Sequence, residues 1–372
     1  MNVTSDSNML TGSNSSNPYK NYVIEVRPRL RSANVHIILK ECAKNIQIVL
    51  NKQDILITGD NFSFVLPVRG FEAVTHSLSN LYIDKNSVSF RFSTNGDNNL
   101  GTFKAEILQN ENTLETTSSK VFLKSDVEYR IVCLNCRQLI SKSISFTRVL
   151  PLPSDRVEPS DWFCHKDKPS VLNLTPRKCD AYYSVCYVHL NRENISGVLE
   201  TSSSIICKTC LAWLGTFLSR NSCQLWYNTV GFQDFENLYM TNPLEDIYLS
   251  LKDVLSQSFL NSTRIVLQYQ KSKNKSDFIL LWVLEKRLNV LSDAISINGD
   301  DCFVAKVLFQ FHDGDDDSIV HEWINNVTTP TINISKPMMV EFLKHLYVMH
   351  ELLPKHCNIS NNFFISYVTA YS

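Results

Sequence analysis

Two pairs of cysteines are the residues whose type and spacing point most directly to chemistry. The chain contains Cys133-Leu-Asn-Cys136 and, after 70 intervening residues, Cys207-Lys-Thr-Cys210. A two-residue spacing lets one tight turn direct both sulfurs at a single ion, and two such pairs supply the four thiolates of a tetrahedral zinc site. Each pair follows a β-rich run. We therefore predict one structural zinc ion bound by all four cysteines. The alternative is two unrelated reduced pairs on separate turns.

The segment from Arg148 to His165 is a second candidate site. Pro151 and Pro153 favour an extended backbone and exclude an interior strand, Trp162 is a large anchor, and a thiol stands beside an imidazole at 164–165. Such a segment suits insertion into a groove of a partner protein. The residues predicted to make that contact are Arg148, Pro151, Leu152, Pro153, Ser154, Trp162, Cys164 and His165. Equally, Cys164 or His165 could complete the chain's own zinc site or simply pack.

A third candidate is Cys357, which directly follows His356. A neighbouring imidazolium lowers the pKa of a thiol and raises its thiolate fraction, so Cys357 could carry a thioester. Side chains of adjacent residues on an extended segment point apart, and this favours an incidental cysteine instead. His36 and His76 are single histidines within strand patterns, and we expect both to be ordinary surface or hydrogen-bonded residues.

Several functional classes find no support in the sequence. It has no Gly-rich phosphate loop, no Gly-x-Ser-x-Gly elbow and no His-Glu-x-x-His motif. A formal net charge of -1 argues against direct nucleic-acid binding and against a basic membrane-binding surface, and no apolar run is long enough to span a membrane. The N-terminus lacks the pattern of a signal peptide, and reduced Cys-x-x-Cys pairs suit a reducing compartment. We therefore expect a cytoplasmic or nuclear protein.

The hydrophobic pattern predicts the elements that position these residues. Residues 1–20 are rich in Ser and Asn and predict a disordered tail. Alternating residues between regular turn signals predict an antiparallel β domain over 21–130. Residues 131–215 form the cysteine section with its proline-led motif, and 216–372 have the mixed periods of an α+β domain. The predicted fold class is thus α+β, with a zinc-stapled middle section between an N-terminal β domain and a C-terminal α+β domain.

A capped helix is predicted near the start of the last domain. Asn242-Pro-Leu-Glu245 supplies an N-cap, a proline at the first helical position and an acidic third residue. Apolar residues then recur every three or four positions as far as Phe259, so they share one face. We expect this face to pack on the strand predicted at 278–284 and to leave Tyr248 or its neighbours for a partner. Ser335 is predicted to cap a final helix.

Taken in order along the chain, these motifs resemble the HECT-like, ubiquitin-conjugating-enzyme-binding protein family. The resemblance rests on the two cysteine pairs, the segment 148–165, Leu214-Gly215 and Ile279-Leu-Leu-Trp282. It implies a ubiquitin-protein ligase that accepts ubiquitin from a conjugating enzyme and promotes its transfer to substrate proteins. It also implies a link to the zinc endonuclease that cleaves pre-mRNA 3′ ends. The alternative function is therefore a non-catalytic chaperone or inhibitor of that endonuclease.

The resemblance also implies roles for individual residues. It places the paired cysteines, with Cys164 and His165, in metal binding, and the proline-led segment at the endonuclease. It places the contact with the conjugating enzyme on the capped helix, at Leu244, Ile247, Tyr248 and Leu251. Phe163 stands where some relatives carry another cysteine, and Cys357 matches no motif of the family. The resemblance therefore assigns no catalytic residue.

Overall fold

The structure is a computed structural model that describes residues 17–42, 44–95, 123–152, 175–201, 203–257, 263–272, 275–295, 302–314 and 317–369. Within these ranges the chain is mostly β-sheet and has three α-helices, which agrees with the predicted α+β class. The predicted division into successive domains stays a prediction. Contacts group the chain into two units, each discontinuous in sequence. The first comprises residues 1–109, 288–303 and 351–358, and the second comprises 110–287, 304–350 and 359–372.

The strands of the N-terminal part are β1 (Tyr19–Arg27), β2 (Ser32–Leu39), β3 (Gln47–Leu50), β4 (Asp54–Gly59), β5 (Phe62–Pro67), β6 (Glu72–Ala73), β7 (Ser79–Asp84) and β8 (Ser87–Asn95). The strands of the cysteine section are β9 (Glu128–Cys133), β10 (Ile144–Ser145), β11 (Arg148–Pro151), β12 (Asp180–Tyr183), β13 (Tyr187–Asn191), β14 (Val198–Glu200), β15 (Ser204–Cys207), β16 (Trp213–Ser219), β17 (Ser222–Trp226), β18 (Val230–Gln233) and β19 (Leu238–Tyr239). The remaining elements are α1 (Pro243–Gln257), β20 (Thr263–Ser272), β21 (Lys275–Ser292), β22 (Cys302–Asp313), α2 (Ser318–Ile324), β23 (Thr331–Asn333), α3 (Lys336–His350), β24 (Ile359–Ser360) and β25 (Phe363–Val368).

The first unit is built from antiparallel strands, as the alternating pattern predicts. The last residues of β21, β1, β2 and β8 pair in that order, and β6 and β7 pair with the outer side of β8. Strands β3, β4 and β5 form a separate antiparallel sheet. Every second residue of β2 from Ala33 to Leu39 is fully buried, and these residues share a core with Ile55 and Ile57 of β4. Residues at the intervening positions of β2 therefore lie on the opposite face of the strand.

The second unit holds the cysteine section. The larger sheet of the cysteine section has the order β11-β12-β13-β17-β16-β15-β14, and the smaller sheet has the order β10-β9-β18-β19. Buried residues of the two sheets, among them Ile131, Leu214 and Leu225, form one hydrophobic cluster. Strands β9 and β15, which precede the two cysteine pairs, therefore share a core although they belong to different sheets.

The same unit contains the predicted capped helix, and the structure confirms its start. In α1 the side chain of Asn242 accepts hydrogen bonds from the backbone N–H of Leu244 at 2.8 Å and of Glu245 at 3.3 Å. Its fully buried residues Ile247 and Leu251 share a core with Ile279, Leu281 and Val283 of β21, as predicted. Similarly, Ser335 caps α3 by accepting a hydrogen bond from the backbone N–H of Met338 at 3.2 Å.

Within the described ranges, no helix combines the length and the apolar character that crossing a membrane requires.

Candidate metal centre

The four predicted cysteines lie on two turns of the same design. Strand β9 ends at Cys133 and strand β15 ends at Cys207. In each turn the carbonyl of the first cysteine accepts a hydrogen bond from the N–H four residues later, at 2.8 Å from Arg137 and 3.0 Å from Leu211. Arg137 and Leu211 both adopt a left-handed backbone, with φ of 62° and 60°. Two segments far apart in sequence thus build the same knuckle at the end of a strand.

The two knuckles face each other, and their sulfurs form one cluster. All four ligand atoms lie within 4.8 Å of one another. Cys133 Sγ lies 3.7 Å from Cys210 Sγ, and Cys136 Sγ lies 3.6 Å from Cys207 Sγ. Zn–S bonds of about 2.3 Å in a tetrahedron separate sulfurs by about 3.8 Å, whereas a disulfide holds them about 2.05 Å apart. The prediction that the two pairs meet at one place is confirmed, and the cluster could hold a metal ion.

The surroundings of the cluster are uneven. Cys133 and Cys207 are fully buried in the hydrophobic cluster between the sheets, whereas Cys136 and Cys210 are half-buried. Burial raises the pKa of the Cys133 thiol to about 12, whereas a hydrogen bond with the side chain of Asn135 lowers the pKa of Cys210 to about 6. A bound divalent cation supplies the charge that lets four thiolates coexist. Sequence reasoning missed Asn135, and its place between the first two cysteines was the available clue.

The proline-led segment begins as an edge strand. Strand β11, from Arg148 to Pro151, lies at the end of the seven-stranded sheet and pairs in parallel with β12. This position agrees with the prediction that the prolines exclude an interior strand. Leu152 is half-buried, and its backbone N–H donates to the carbonyl of Tyr183 at 2.7 Å. The remaining predicted contact residues, which are Pro153, Ser154, Trp162, Cys164 and His165, lie outside the described residues. The partner arm and its link to the endonuclease therefore stay predictions.

The side chain of Arg148 has a partner within the chain. Its Nε donates to Asp180 Oδ1 at 2.8 Å, and a terminal nitrogen donates to Asp180 Oδ2 at 2.5 Å. Asp180 is fully buried, while about half of the Arg148 side chain is exposed, at 47%. This bidentate pair fixes β11 to the first residue of β12. Asp180 is not part of any motif, so the sequence did not reveal it.

Replacing Arg148 with alanine is expected to destabilise the fold in a pH-dependent way. The hydrogen bond from Arg148 holds the pKa of Asp180 below its ordinary value, so the pair contributes stability above the unfolded pKa of about 3.9. That contribution disappears as the pH falls through the folded pKa, because the carboxyl becomes neutral. We expect the variant to melt several degrees below the parent protein at pH 7, with the difference shrinking below about pH 4.

Melting temperatures of both proteins, measured by scanning calorimetry from pH 7 downward, test this expectation. Lys344→Ala is the control, since Lys344 forms an exposed ion pair with Glu341 whose loss costs little. An Arg148→Ala variant that melts with the parent protein at pH 7 contradicts the structural role of the pair. The role of Arg148 in partner binding is a separate prediction.

The residues predicted on the capped helix differ in accessibility. Ile247 and Leu251 are fully buried, whereas Leu244 and Tyr248 are half-buried against the same core. The Tyr248 hydroxyl lies 3.2 Å from His345 Nε2 and accepts a hydrogen bond from Thr369 at 3.1 Å. Leu244 and Tyr248 are therefore the two members of the predicted set that a partner could touch. The contact itself stays a prediction.

Comparison with known proteins gives a consistent picture over most of the chain. The model of the family described as HECT-like ubiquitin-conjugating enzyme (E2)-binding matches residues 25–365. A rat protein whose name calls it an E3 ubiquitin-protein ligase is 23% identical over 254 residues, which cover 62% of this chain and 68% of the relative. The bovine protein of the same name is 22% identical over 280 residues, covering 63% and 71%. A Saccharomyces cerevisiae protein whose name calls it uncharacterized is 24% identical over 382 residues, covering 94% and 99%. No solved structure matches.

Proposed function

Because the chain belongs to the HECT-like, ubiquitin-conjugating-enzyme (E2)-binding family, we propose that it binds a ubiquitin-conjugating enzyme and acts as a ubiquitin-protein ligase. In this role it accepts ubiquitin from the enzyme and promotes its transfer to substrate proteins. The observation that carries the proposal is the family match over residues 25–365. The ligase name of the rat and bovine relatives supports the transfer step, at 23% and 22% identity.

We also propose that the tetracysteine cluster holds a structural zinc ion. Four sulfur ligands complete a tetrahedron and leave no open position for water or substrate, which is the arrangement of structural rather than catalytic zinc. The 3.6 Å and 3.7 Å sulfur separations support this assignment. The ion would join the ends of β9 and β15. Its role in a ligase would be to hold together the two sheets that share one hydrophobic cluster.

The N-terminal turn of α1 is the proposed contact with the conjugating enzyme. Leu244 is half-buried there, and the neighbouring Glu245 is exposed. Ile247, one helical turn further on, is fully buried and serves the core instead. A partner that covers this turn would bury the rest of the Leu244 side chain, and a small number of such residues usually carries most of the binding free energy.

Binding to a panel of conjugating enzymes, each free or charged with ubiquitin, tests the proposal. We expect at least one enzyme to bind and to discharge its ubiquitin faster in the presence of the chain. Leu244→Ser is expected to weaken that binding by about tenfold, which corresponds to about 1.4 kcal/mol. The readouts are the dissociation constant by biolayer interferometry and the rate at which the ubiquitin thioester disappears.

Leu218→Ser is the matched control, because Leu218 is 48% exposed on β16 and is not in the predicted contact. If no enzyme in the panel binds, the proposed function is wrong. If an enzyme binds Leu244→Ser and the parent protein equally well, the enzyme contacts another surface.

A further inference from the structure

Cys357 lies beside a histidine, although not the one that precedes it in the sequence. Its Sγ is 3.5 Å from Nδ1 of His36, a residue 321 positions earlier in the chain, and both belong to the first unit. The adjacent His356 is exposed and packs its ring on Tyr82, with 4.0 Å between ring centroids. Cys357 lies in a turn rather than on the expected extended segment. His36 was expected to be an ordinary surface or hydrogen-bonded residue; it does contact the Ser89 hydroxyl, but the sequence did not reveal its thiol neighbour.

The fold holds this pair in place from both sides. His36 occupies a position of β2 between the fully buried Val35 and Ile37, so its ring lies on the face opposite the core. Ser89 is its cross-strand partner on β8, and the Ser89 hydroxyl is 3.1 Å from the same Nδ1. The backbone N–H of Cys357 donates to the carbonyl of Pro354 at 3.0 Å, which closes a tight turn.

The environment of Cys357 differs from that of the buried cysteines outside the tetracysteine cluster. Cys186 and Cys223 are buried, and their thiols donate to the carbonyls of Asp246 and Leu190 at 3.5 Å and 3.4 Å. Burial raises the pKa of the Cys223 thiol to about 12, which disfavours its thiolate. Cys357 also has a carbonyl acceptor, Pro354 at 3.4 Å, but it is half-buried and has an imidazole within reach. A thiol with a base and partial access to solvent is the arrangement of a nucleophile.

We propose that Cys357 is an activated thiol that accepts an acyl group from a thioester, with His36 as its base and Ser89 as a positioning residue. Nδ1 of His36 takes the thiol proton, and the thiolate attacks the carbonyl carbon of the incoming thioester. A new C–S bond forms as the old one breaks, and His36 returns the proton to the departing thiolate. The substrate class is ubiquitin linked as a thioester to a conjugating enzyme, and this part rests on the proposed function.

The reactivity of the thiol can be measured without any conjugating enzyme. Iodoacetamide alkylates thiolates, so the rate at which the Cys357 peptide is modified reports its thiolate fraction as the pH changes. We expect the parent protein to react about tenfold faster than His36→Gln near pH 6.5, since glutamine cannot take the proton. Ser89→Ala should give an intermediate rate. The half-buried Cys179 in the same sample is the internal reference, and its rate should not change.

Two controls separate activation from loss of structure. The melting temperatures of His36→Gln and Ser89→Ala should stay close to that of the parent protein. The pH profile of His356→Gln should match the parent profile, because that ring packs on Tyr82 near Asp84 rather than on the thiol. Equal alkylation rates in the parent protein and in His36→Gln, at every pH, overturn the activated thiol.

The acyl transfer is tested by mixing the chain with a conjugating enzyme that carries labelled ubiquitin. We expect the parent protein to form a ubiquitin adduct that an added thiol cleaves, and Cys357→Ala to form no such adduct. If the parent protein binds the enzyme and discharges ubiquitin without an adduct, the acyl-acceptor role is overturned and the proposed function stands. If no enzyme binds, the proposed function and the acyl transfer both fail, while the alkylation rates still decide whether the thiol is activated.

Discussion

Replacing Cys207 with serine is expected to abolish binding of the proposed zinc ion and to lower the melting temperature of the same protein. Cys207 is fully buried, and its sulfur lies 3.6 Å from that of Cys136 across the cluster. The unfolded chain has no preformed site, so metal binding contributes directly to the free energy of folding. Structural zinc in small domains is worth about 10–16 kcal/mol. Losing a third of that, about 4 kcal/mol, lowers the melting temperature by roughly 8–16 °C.

Elemental analysis and calorimetry on the same preparations measure this effect. The parent protein should contain about one zinc per chain, and Cys207→Ser should contain much less. Cys223→Ser is the matched control. Like Cys207, Cys223 is fully buried in the hydrophobic cluster between the two sheets, but it is not one of the four cysteines of the tetracysteine cluster. It should lose some stability and keep its zinc. Unchanged zinc in Cys207→Ser, or equal zinc loss in both variants, contradicts the assignment.

The sequence predicted the cysteine cluster because the relevant geometry is local. A two-residue spacing at the end of a strand determines the turn, and the chemistry of zinc requires two such turns to meet. The sequence could not predict that Cys133 approaches Cys210 while Cys136 approaches Cys207, since that depends on how two sheets share a core. The start of α1 was equally predictable, because a cap and a helical period also involve neighbouring residues.

The pairs that the sequence did not reveal join common residue types across the chain. Arg148 in an extended, proline-led segment suggested a contact with a partner, whereas the structure shows its guanidinium bound to Asp180, 32 residues later. The polar residues near His36 in its own strand, Ser32 and Asn34, did not indicate a thiol neighbour, because Cys357 is 321 residues away. No spacing along the sequence predicts either contact, because side chains from different elements meet only after the strands have paired.

The second large effect is expected at Gly215, in an interior strand of the sheet whose strand β15 leads into the second cysteine pair. Gly215 lies on β16, paired with Ile205 of β15 on one side and Leu225 of β17 on the other. A Cβ at this position would overlap the backbone carbonyl of Gln224 and come within 3.2 Å of Leu225 Cα. The obstacle is backbone held on both sides by strands, so no side-chain rotation can relieve it.

Gly215→Ala is therefore expected to lower the free energy of unfolding by about 3 kcal/mol and the melting temperature by roughly 6–12 °C. Gly231→Ala is the matched control in a strand of the same unit. There a Cβ would meet Leu238 Cδ1 at 2.6 Å and Leu134 Cδ2 at 3.0 Å, and the ends of flexible side chains can move aside. The control should lose much less stability, as measured by calorimetry at pH 7. If Gly215→Ala melts with the parent protein, β16 and β17 do not approach as closely as the structure places them.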